Sequence, residues 1–236
     1  MNSDPQKYYD EFSSTYEFPR HHGYHRLLDD LELSVAKRYC KGELLDAGCG
    51  TGLILERLVP QVKRALGVDL SSGMLSLAQG KGLHVFQSSV DALPFPNDFF
   101  DTVVSFKVLA HVPSIQKTLG EMARVTRPGG RLVLEFYNRK SLRYLIKRLK
   151  YPNRIGSNYT DEDVYTRFDT VDEICGYLPP TLNLICTHGV RVFTPAAQVH
   201  DFPMLRNLFG VAERYVADTS FFRRFAGFLI VVLGKA

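Results

Sequence analysis

Residues 43–52 read Glu-Leu-Leu-Asp-Ala-Gly-Cys-Gly-Thr-Gly, an apolar strand that runs into three alternate glycines with an acid at its mouth. Lacking a Cβ, Gly48, Gly50 and Gly52 let the chain turn sharply and let a ligand lie against bare backbone. Leu53–Leu58 reads as the opening of a helix whose free N–H groups face that ligand. A second apolar strand ends in Gly67-Val68-Asp69-Leu70-Ser71, which sets a carboxylate 23 residues beyond Asp46. A carboxylate about twenty residues past the glycine turn is where a doubly wound fold grips a ribose diol. Together the two features predict a cofactor that carries adenosine.

What is missing narrows the cofactor. No Gly-Lys-Ser/Thr follows the glycines, so the chain lacks a triphosphate-gripping P-loop. The pattern Gly48-Cys49-Gly50-Thr51-Gly52 is shorter than the dinucleotide fingerprint. Asp46, two residues before the first of these glycines, is badly placed for a pyrophosphate and well placed beside an ammonium group.

Outward from this turn, strands are expected at 44–47, 63–69, 83–87, 101–106 and 130–137, with helices at 53–59, 72–80 and 114–126 between them and a loop at 88–99. Such alternation implies βαβ units and a parallel sheet, whose ligands bind at the carboxyl ends of the strands. Residues 5–39 carry Tyr8, Tyr9, Phe12, Tyr16 and later Leu27, Leu28 and Leu31 at helical spacing, broken around Pro19–Gly23. Residues 139–150 make a basic amphipathic helix, Tyr151–Thr160 an exposed loop or lid, and 170–178 a helix capped by Thr170 with Glu173 completing a capping box. Two late strands, 182–192 and 227–234, flank a stretch with two short helices. No internal repeat or low-complexity tract interrupts the chain.

With 236 residues the chain suits one α/β domain. It divides into an N-terminal helical cap (1–40), a cofactor core (41–137), acceptor-covering insertions with the late strands (138–227) and a final strand (228–236). Hydrophobic content of 45%, charged content of 23% and a net charge of +4 are those of an ordinary globular protein. That charge falls short of a nucleic-acid footprint. The first residues hold no apolar secretion signal, and the longest apolar run, 225–233, is about half a membrane span. Cys40, Cys49, Cys175 and Cys186 form no paired or metal-ligand spacing, which fits reduced thiols in the cytoplasm.

Five blocks in order carry a resemblance. They are Leu44–Gly52, Asp69–Leu75, Ser89–Phe95, Phe100–Phe106 with Leu109–Val112, and Arg127–Leu134. Through them the chain resembles the class I S-adenosylmethionine-dependent methyltransferases, in the small-molecule branch that includes ubiquinone-biosynthesis-type enzymes. The resemblance covers roughly residues 40–137, is specific for cofactor class and leaves the acceptor open. The fold expected is a doubly wound α/β domain with a seven-stranded, mostly parallel sheet whose last strand is antiparallel.

With the cofactor S-adenosyl-L-methionine, Asp69 takes both ribose hydroxyls, and Asp91 with Ala92 offers the adenine a carboxylate acceptor and a backbone donor. Leu70 and Met74 lie on the adenine faces. Asp46 orients the methionine ammonium, a role the resemblance extends to the Phe106 carbonyl. Arg20 is the candidate for the methionine carboxylate. Tyr9 and Tyr16, seven residues apart on one helix face, either roof the methyl group or serve as core aromatics. Cys49 is read as a small residue packed beside the cofactor.

His111 follows the fourth strand where the resembling enzymes have a histidine facing the acceptor. It is either a general base toward a hydroxyl or a buttress of the pocket. The glutamate usual before that histidine is Ala110 here. His21-His22-Gly23-Tyr24-His25 invites a metal reading, but no cysteine or carboxylate completes a ligand set, and no metal is expected. After the fourth strand, Ser105-Phe106-Lys107-Val108 is not the Asn/Asp-Pro-Pro-aromatic tetrad of base- and glutamine-methylating relatives. Nucleic acid is disfavoured, with a wobble-tRNA enzyme and a non-catalytic adenosyl-binding module as the alternatives. The expected acceptor is small or lipid-like and methylated at oxygen. Residues 203–233, with Phe221-Phe222-Arg223-Arg224-Phe225, suggest peripheral contact with a membrane. Nothing in the sequence speaks to oligomeric state.

Overall fold

The structure is a computed structural model that describes residues 5–20, 23–149, 154–155, 159–160, 165–192, 210–213, 215, 219 and 221–236. Helix α1 (Pro5–Tyr16), a short 3-10 turn (Phe18–Arg20) and α2 (Gly23–Tyr39) precede the alternation. Then follow β1 (Glu43–Ala47), α3 (Leu53–Leu58), β2 (Arg64–Asp69), α4 (Ser72–Gly80), β3 (Val85–Gln87), β4 (Phe100–Ser105), α5 (Ile115–Val125) and β5 (Thr126–Tyr137). Beyond them lie α6 (Leu142–Leu149), the two-residue strands β6 (Arg154–Ile155) and β7 (Tyr159–Thr160), α7 (Val171–Tyr177), β8 (Leu182–Val190) and β9 (Phe228–Lys235).

Seven strands form one sheet in the order β3-β2-β1-β4-β5-β9-β8. The first five run parallel, and β9 is antiparallel to both of its neighbours, β5 and β8. The seven-stranded sheet with an antiparallel last strand is therefore as expected. All five β1 residues are buried, as befits a central strand covered by helices on both faces. Leu44, Val104 and Val133 face one core, beneath α2 and α3; Leu45, Val103, Leu132 and Leu134 face the other, beneath α5 and α7.

Local chemistry sets the boundaries. Ser71 caps α4 by accepting the Met74 amide, and Thr170 with Glu173 forms the expected capping box on α7. Helix α6 begins at 142, not 139, because Asn138 and Ser141 build a turn first. The Ser141 hydroxyl donates to the Asn138 carbonyl at 2.6 Å and accepts the Tyr144 amide. Strand β5 begins at Thr126, four residues early: Thr126 pairs with Phe100, and the register then shifts before Arg131 pairs with Thr102. Pro128-Gly129-Gly130 thus form an irregularity inside the strand, with Gly129 at φ 75°. Within the 151–160 segment, β6 and β7 pair antiparallel rather than running as a plain loop. The readings placed on residues 21–22 and 203–209 lie outside the described residues.

Candidate active site

The carboxyl ends of β1, β2 and β4 open onto a cavity of about 270 Å³, joined by shared walls to a chamber of about 40 Å³. Tyr16, Gly48, Gly50, Phe106 and Lys107 belong to both and form the neck between them. Asp69, Leu70, Met74, Asp91 and His111 line the larger cavity. Tyr9 and Tyr16 close it from α1. Asp46, Cys49 and Arg20 line the smaller chamber.

The glycine turn is held by the acid of the next strand. Asp69 Oδ2 accepts the Gly50 amide at 2.8 Å, and its Oδ1 accepts the Ser71 amide at 2.9 Å. Gly48 and Gly50 have left-handed backbones, at φ 86° and 53°. A Cβ on Gly48 would collide with Val108, whereas one on Gly50 would meet only open space. Gly52 differs from the expectation. It lines neither cavity, and a Cβ there would strike Leu83, so its φ of 80° and lack of side chain serve packing at the start of α3.

Ala92 also departs from the expectation. It is absent from the cavity wall, and its amide is spent on the Ser89 carbonyl at 3.1 Å. Ser88, Ser89 and Val90 line the wall beside Asp91 instead. The Asp91 carboxylate is fixed by the hydroxyls of Ser89 (2.6 Å) and Ser114 (2.9 Å), which hold its pKa below the usual range.

Asp46 is the electrostatic centre of the small chamber. Among the described residues no hydrogen bond reaches its carboxylate. Burial, reinforced by the charge of Asp69, raises its pKa to about 7. A buried carboxylate without a partner is poised for a cation. Burial likewise raises the Cys49 thiol, which argues against a nucleophile. Arg20 reaches the chamber but already pairs with Asp29 at 2.9 Å and lies over the Tyr16 ring.

Sequence reasoning missed Lys107. Its left-handed backbone (φ 60°) turns Nζ onto Asp29 (2.6 Å) and Glu32 (2.7 Å) of α2, which clamps the cap to the neck between the chambers. The signal was present as two acids, three apart, amid the apolar face of Leu28, Leu31 and Val35. It missed Asp10 as well, which accepts the Ser71 hydroxyl (2.6 Å) and the Gly73 amide (2.9 Å) and so docks α1 on the start of α4.

His111 lines the large cavity. Its Nδ1 lies 2.9 Å from the Tyr165 carbonyl and its Nε2 3.4 Å from the Tyr137 hydroxyl. The carbonyl makes Nδ1 the protonated nitrogen and leaves Nε2 as the basic one. Burial lowers the imidazole pKa, so it is neutral at pH 7. For the metal reading, no group of three or more His, Cys, Asp or Glu gathers among the described residues, and His25 packs on Tyr24.

Residues 45–134 match the model of a methyltransferase domain family. A methyltransferase of Anoxybacillus flavithermus is 30% identical over 160 residues, covering 64% of this chain and 71% of that one. A ubiquinone/menaquinone biosynthesis C-methyltransferase of Vibrio vulnificus is 32% identical over 126 residues, covering 48% of each chain. The chain spans about half the length of several of the curated relatives it matches, the Vibrio vulnificus enzyme among them. An S-adenosylmethionine-dependent methyltransferase of Thermotoga maritima has the same fold, with a TM-score of 0.69 at 19% identity over 98% of both chains.

Proposed function

The chain belongs to the S-adenosylmethionine-dependent methyltransferase family, and on that premise we propose that it moves a methyl group to a small or lipid-like organic acceptor, at oxygen, releasing S-adenosylhomocysteine. The observation that carries this reading is the two-chamber cavity. Its large part offers Asp69 to a ribose and Leu70 and Met74 to an adenine. Its small part offers the unpartnered Asp46 to an ammonium and Arg20 to a carboxylate. Tyr16 and Phe106, shared by the two chambers, would hold the part of the cofactor between its adenosine and its amino acid, and His111 in the large cavity would serve the acceptor.

Methyl transfer is an in-line displacement, so the cofactor supplies the electrophile and the protein supplies position and a dry site. The neutral Nε2 of His111 takes the proton of an acceptor hydroxyl as its oxygen attacks the methyl carbon. A bound cofactor would supply that methyl group as an electrophile and be left as a neutral thioether. The same base would ionise a phenol for attack through ring carbon, which is the type of transfer that the name of the Vibrio relative states. The apolar walls contributed by Val108, Val112 and Pro113 favour an apolar acceptor body. Exposed Phe221 and Phe225 beside Arg224 are compatible with peripheral contact with a lipid surface, and no helix among the described residues is long and apolar enough to cross a membrane.

Incubation with methyl-labelled S-adenosylmethionine and a panel of catechols, phenols and quinols tests this reading, with mass spectrometry assigning the methylated atom. Label on phenolic oxygen supports it. Cofactor binding without transfer to any acceptor would favour a binding module instead.

A further inference from the structure

Strand β8 forms one edge of the sheet, and a groove of about 530 Å³ lies against it. Ile185 and Cys186 of the strand line this groove, and Lys140, Arg223, Arg224 and Asp172 supply its charges. Three cations against one acid make it basic. Lys140, Asp172 and Arg224 are exposed, whereas Arg223 is pinned to the strand, its Nη1 donating to the Thr187 carbonyl at 2.9 Å. The groove shares no lining residue with the two chambers of the candidate active site.

A nucleophile stands on its wall beside a base. Cys186 and His188, two apart on β8, share one face of the strand, where Tyr39 at the end of α2 meets both. The Tyr39 hydroxyl lies 2.8 Å from His188 Nε2 and 3.3 Å from Cys186 Sγ, and Sγ lies 3.5 Å from Nε2. Thiol, phenol and imidazole thus close a triangle in which each atom is within reach of the other two. The thiol donates to the Tyr39 oxygen and the Tyr39 hydroxyl donates to Nε2, which gives the sulfur's proton a path to the base. The thiolate so formed is the nucleophile.

The other three cysteines lack this arrangement. Burial raises the thiols of Cys40 and Cys49. Cys175 on α7 is exposed, more so than the half-buried Cys186, but no hydrogen bond reaches its thiol among the described residues.

We propose that Cys186 is a thiolation site, and that the basic groove beside it receives a small disulfide bearing carboxylates. The Cys186 thiolate attacks one sulfur of that disulfide, so that a protein mixed disulfide forms as the old sulfur–sulfur bond breaks. The departing thiolate takes the proton that His188 received. Cys186 is oxidised and the small disulfide is reduced, with no further reagent. This inference is independent of the methyl-transfer reading.

The test follows the reduced full chain at neutral pH with oxidised glutathione, which is anionic, and with cystamine, a cationic disulfide. Intact-mass spectrometry and peptide mapping give the rate at each cysteine. Each rate is divided by that of the same cysteine in the urea-unfolded chain, which removes the reagents' intrinsic difference. Oxidised glutathione should modify Cys186 ahead of the more exposed Cys175, and Cys186 should favour it over cystamine. His188→Gln should slow Cys186 about tenfold or more with both reagents, and Tyr39→Phe severalfold. Should His188→Gln not fold, Tyr39→Phe decides. Exchanging the exposed Lys140 and Arg224 together for Gln should reduce the preference for the anionic reagent severalfold. Modification of Cys175 first, unchanged Cys186 rates in the His188 and Tyr39 variants, or a faster reaction with cystamine would each overturn the site.

Discussion

The Gly50 amide donates to Asp69 Oδ2 at 2.8 Å, so the carboxylate assigned to the ribose is also the one that ties the glycine turn. Cofactor grip and loop shape share one side chain. The glycines of that turn then separate into two kinds. Gly50→Ala should fold, with about 1–2 kcal/mol of left-handed strain, yet block the approach of a ligand to the backbone. Gly52→Ala adds a collision with Leu83 and should lower stability by more. Urea unfolding and S-adenosylhomocysteine titration of both variants check this: equal effects on stability and binding would contradict the separation.

Asp46 should make cofactor affinity depend on pH. Its pKa of about 7 in the ligand-free fold means that below pH 7 a cation must displace a proton to bind. Affinity for S-adenosylhomocysteine should rise as pH rises from 5.5 to 7, approaching tenfold per unit at the acid end, and flatten above about 8. Stability of the empty protein runs the opposite way. A raised carboxylate pKa gives stability that is full below the unfolded value near 4 and is lost as pH rises through 7. Asp46→Asn should therefore raise the melting temperature of the empty protein at pH 8 and flatten the binding profile. A binding profile that keeps its slope in the variant would assign the dependence elsewhere.

His111→Ala should lower kcat by about a hundredfold, with affinity for S-adenosylhomocysteine nearly unchanged. Its imidazole pKa is depressed by burial, so the rate should be level around neutrality and fall only as pH drops through that lowered pKa. Equal losses of rate and cofactor affinity would mark the residue as a buttress. Stopped-time assays across pH with the wild type and the variant separate the two.

Asp10 links the cap to the cofactor floor, because it accepts the Ser71 hydroxyl and the Gly73 amide at the start of α4. Asp10→Ala should loosen α1, speed S-adenosylhomocysteine release and raise hydrogen exchange in residues 5–16 while leaving β1 protected. Unchanged exchange in α1 would show that the aromatic contacts of Tyr8, Tyr9 and Phe12 hold the cap without it.

The parts legible in the sequence were those written in contiguous residues. The glycine turn, the acids that close β1 and β2, and the 170–173 capping box each depend on neighbours a few positions apart, and each stands where its pattern placed it. What depends on long-range packing was not legible. Ala92 belonged to a recognised block, yet its amide turned back onto Ser89. Gly52 belonged to the glycine series, yet its bare face meets Leu83, 31 residues away. Nothing beside Lys107 in the sequence marks its partners; only the fold brings Asp29 and Glu32 to it. Arg143 was read as one charge on a basic amphipathic helix, because nothing local shows that Tyr137, Phe168 and Phe228 converge on that position.

Calorimetric titration of S-adenosylhomocysteine into the wild type and Asp69→Ala tests the central claim most directly. The account predicts saturable binding to the wild type with a stoichiometry near one. It also predicts a loss of about tenfold or more in the variant, as ribose hydroxyls lose a desolvated acceptor and the turn loses its tie. Equal affinity in the two proteins, or no binding to the wild type, would contradict it.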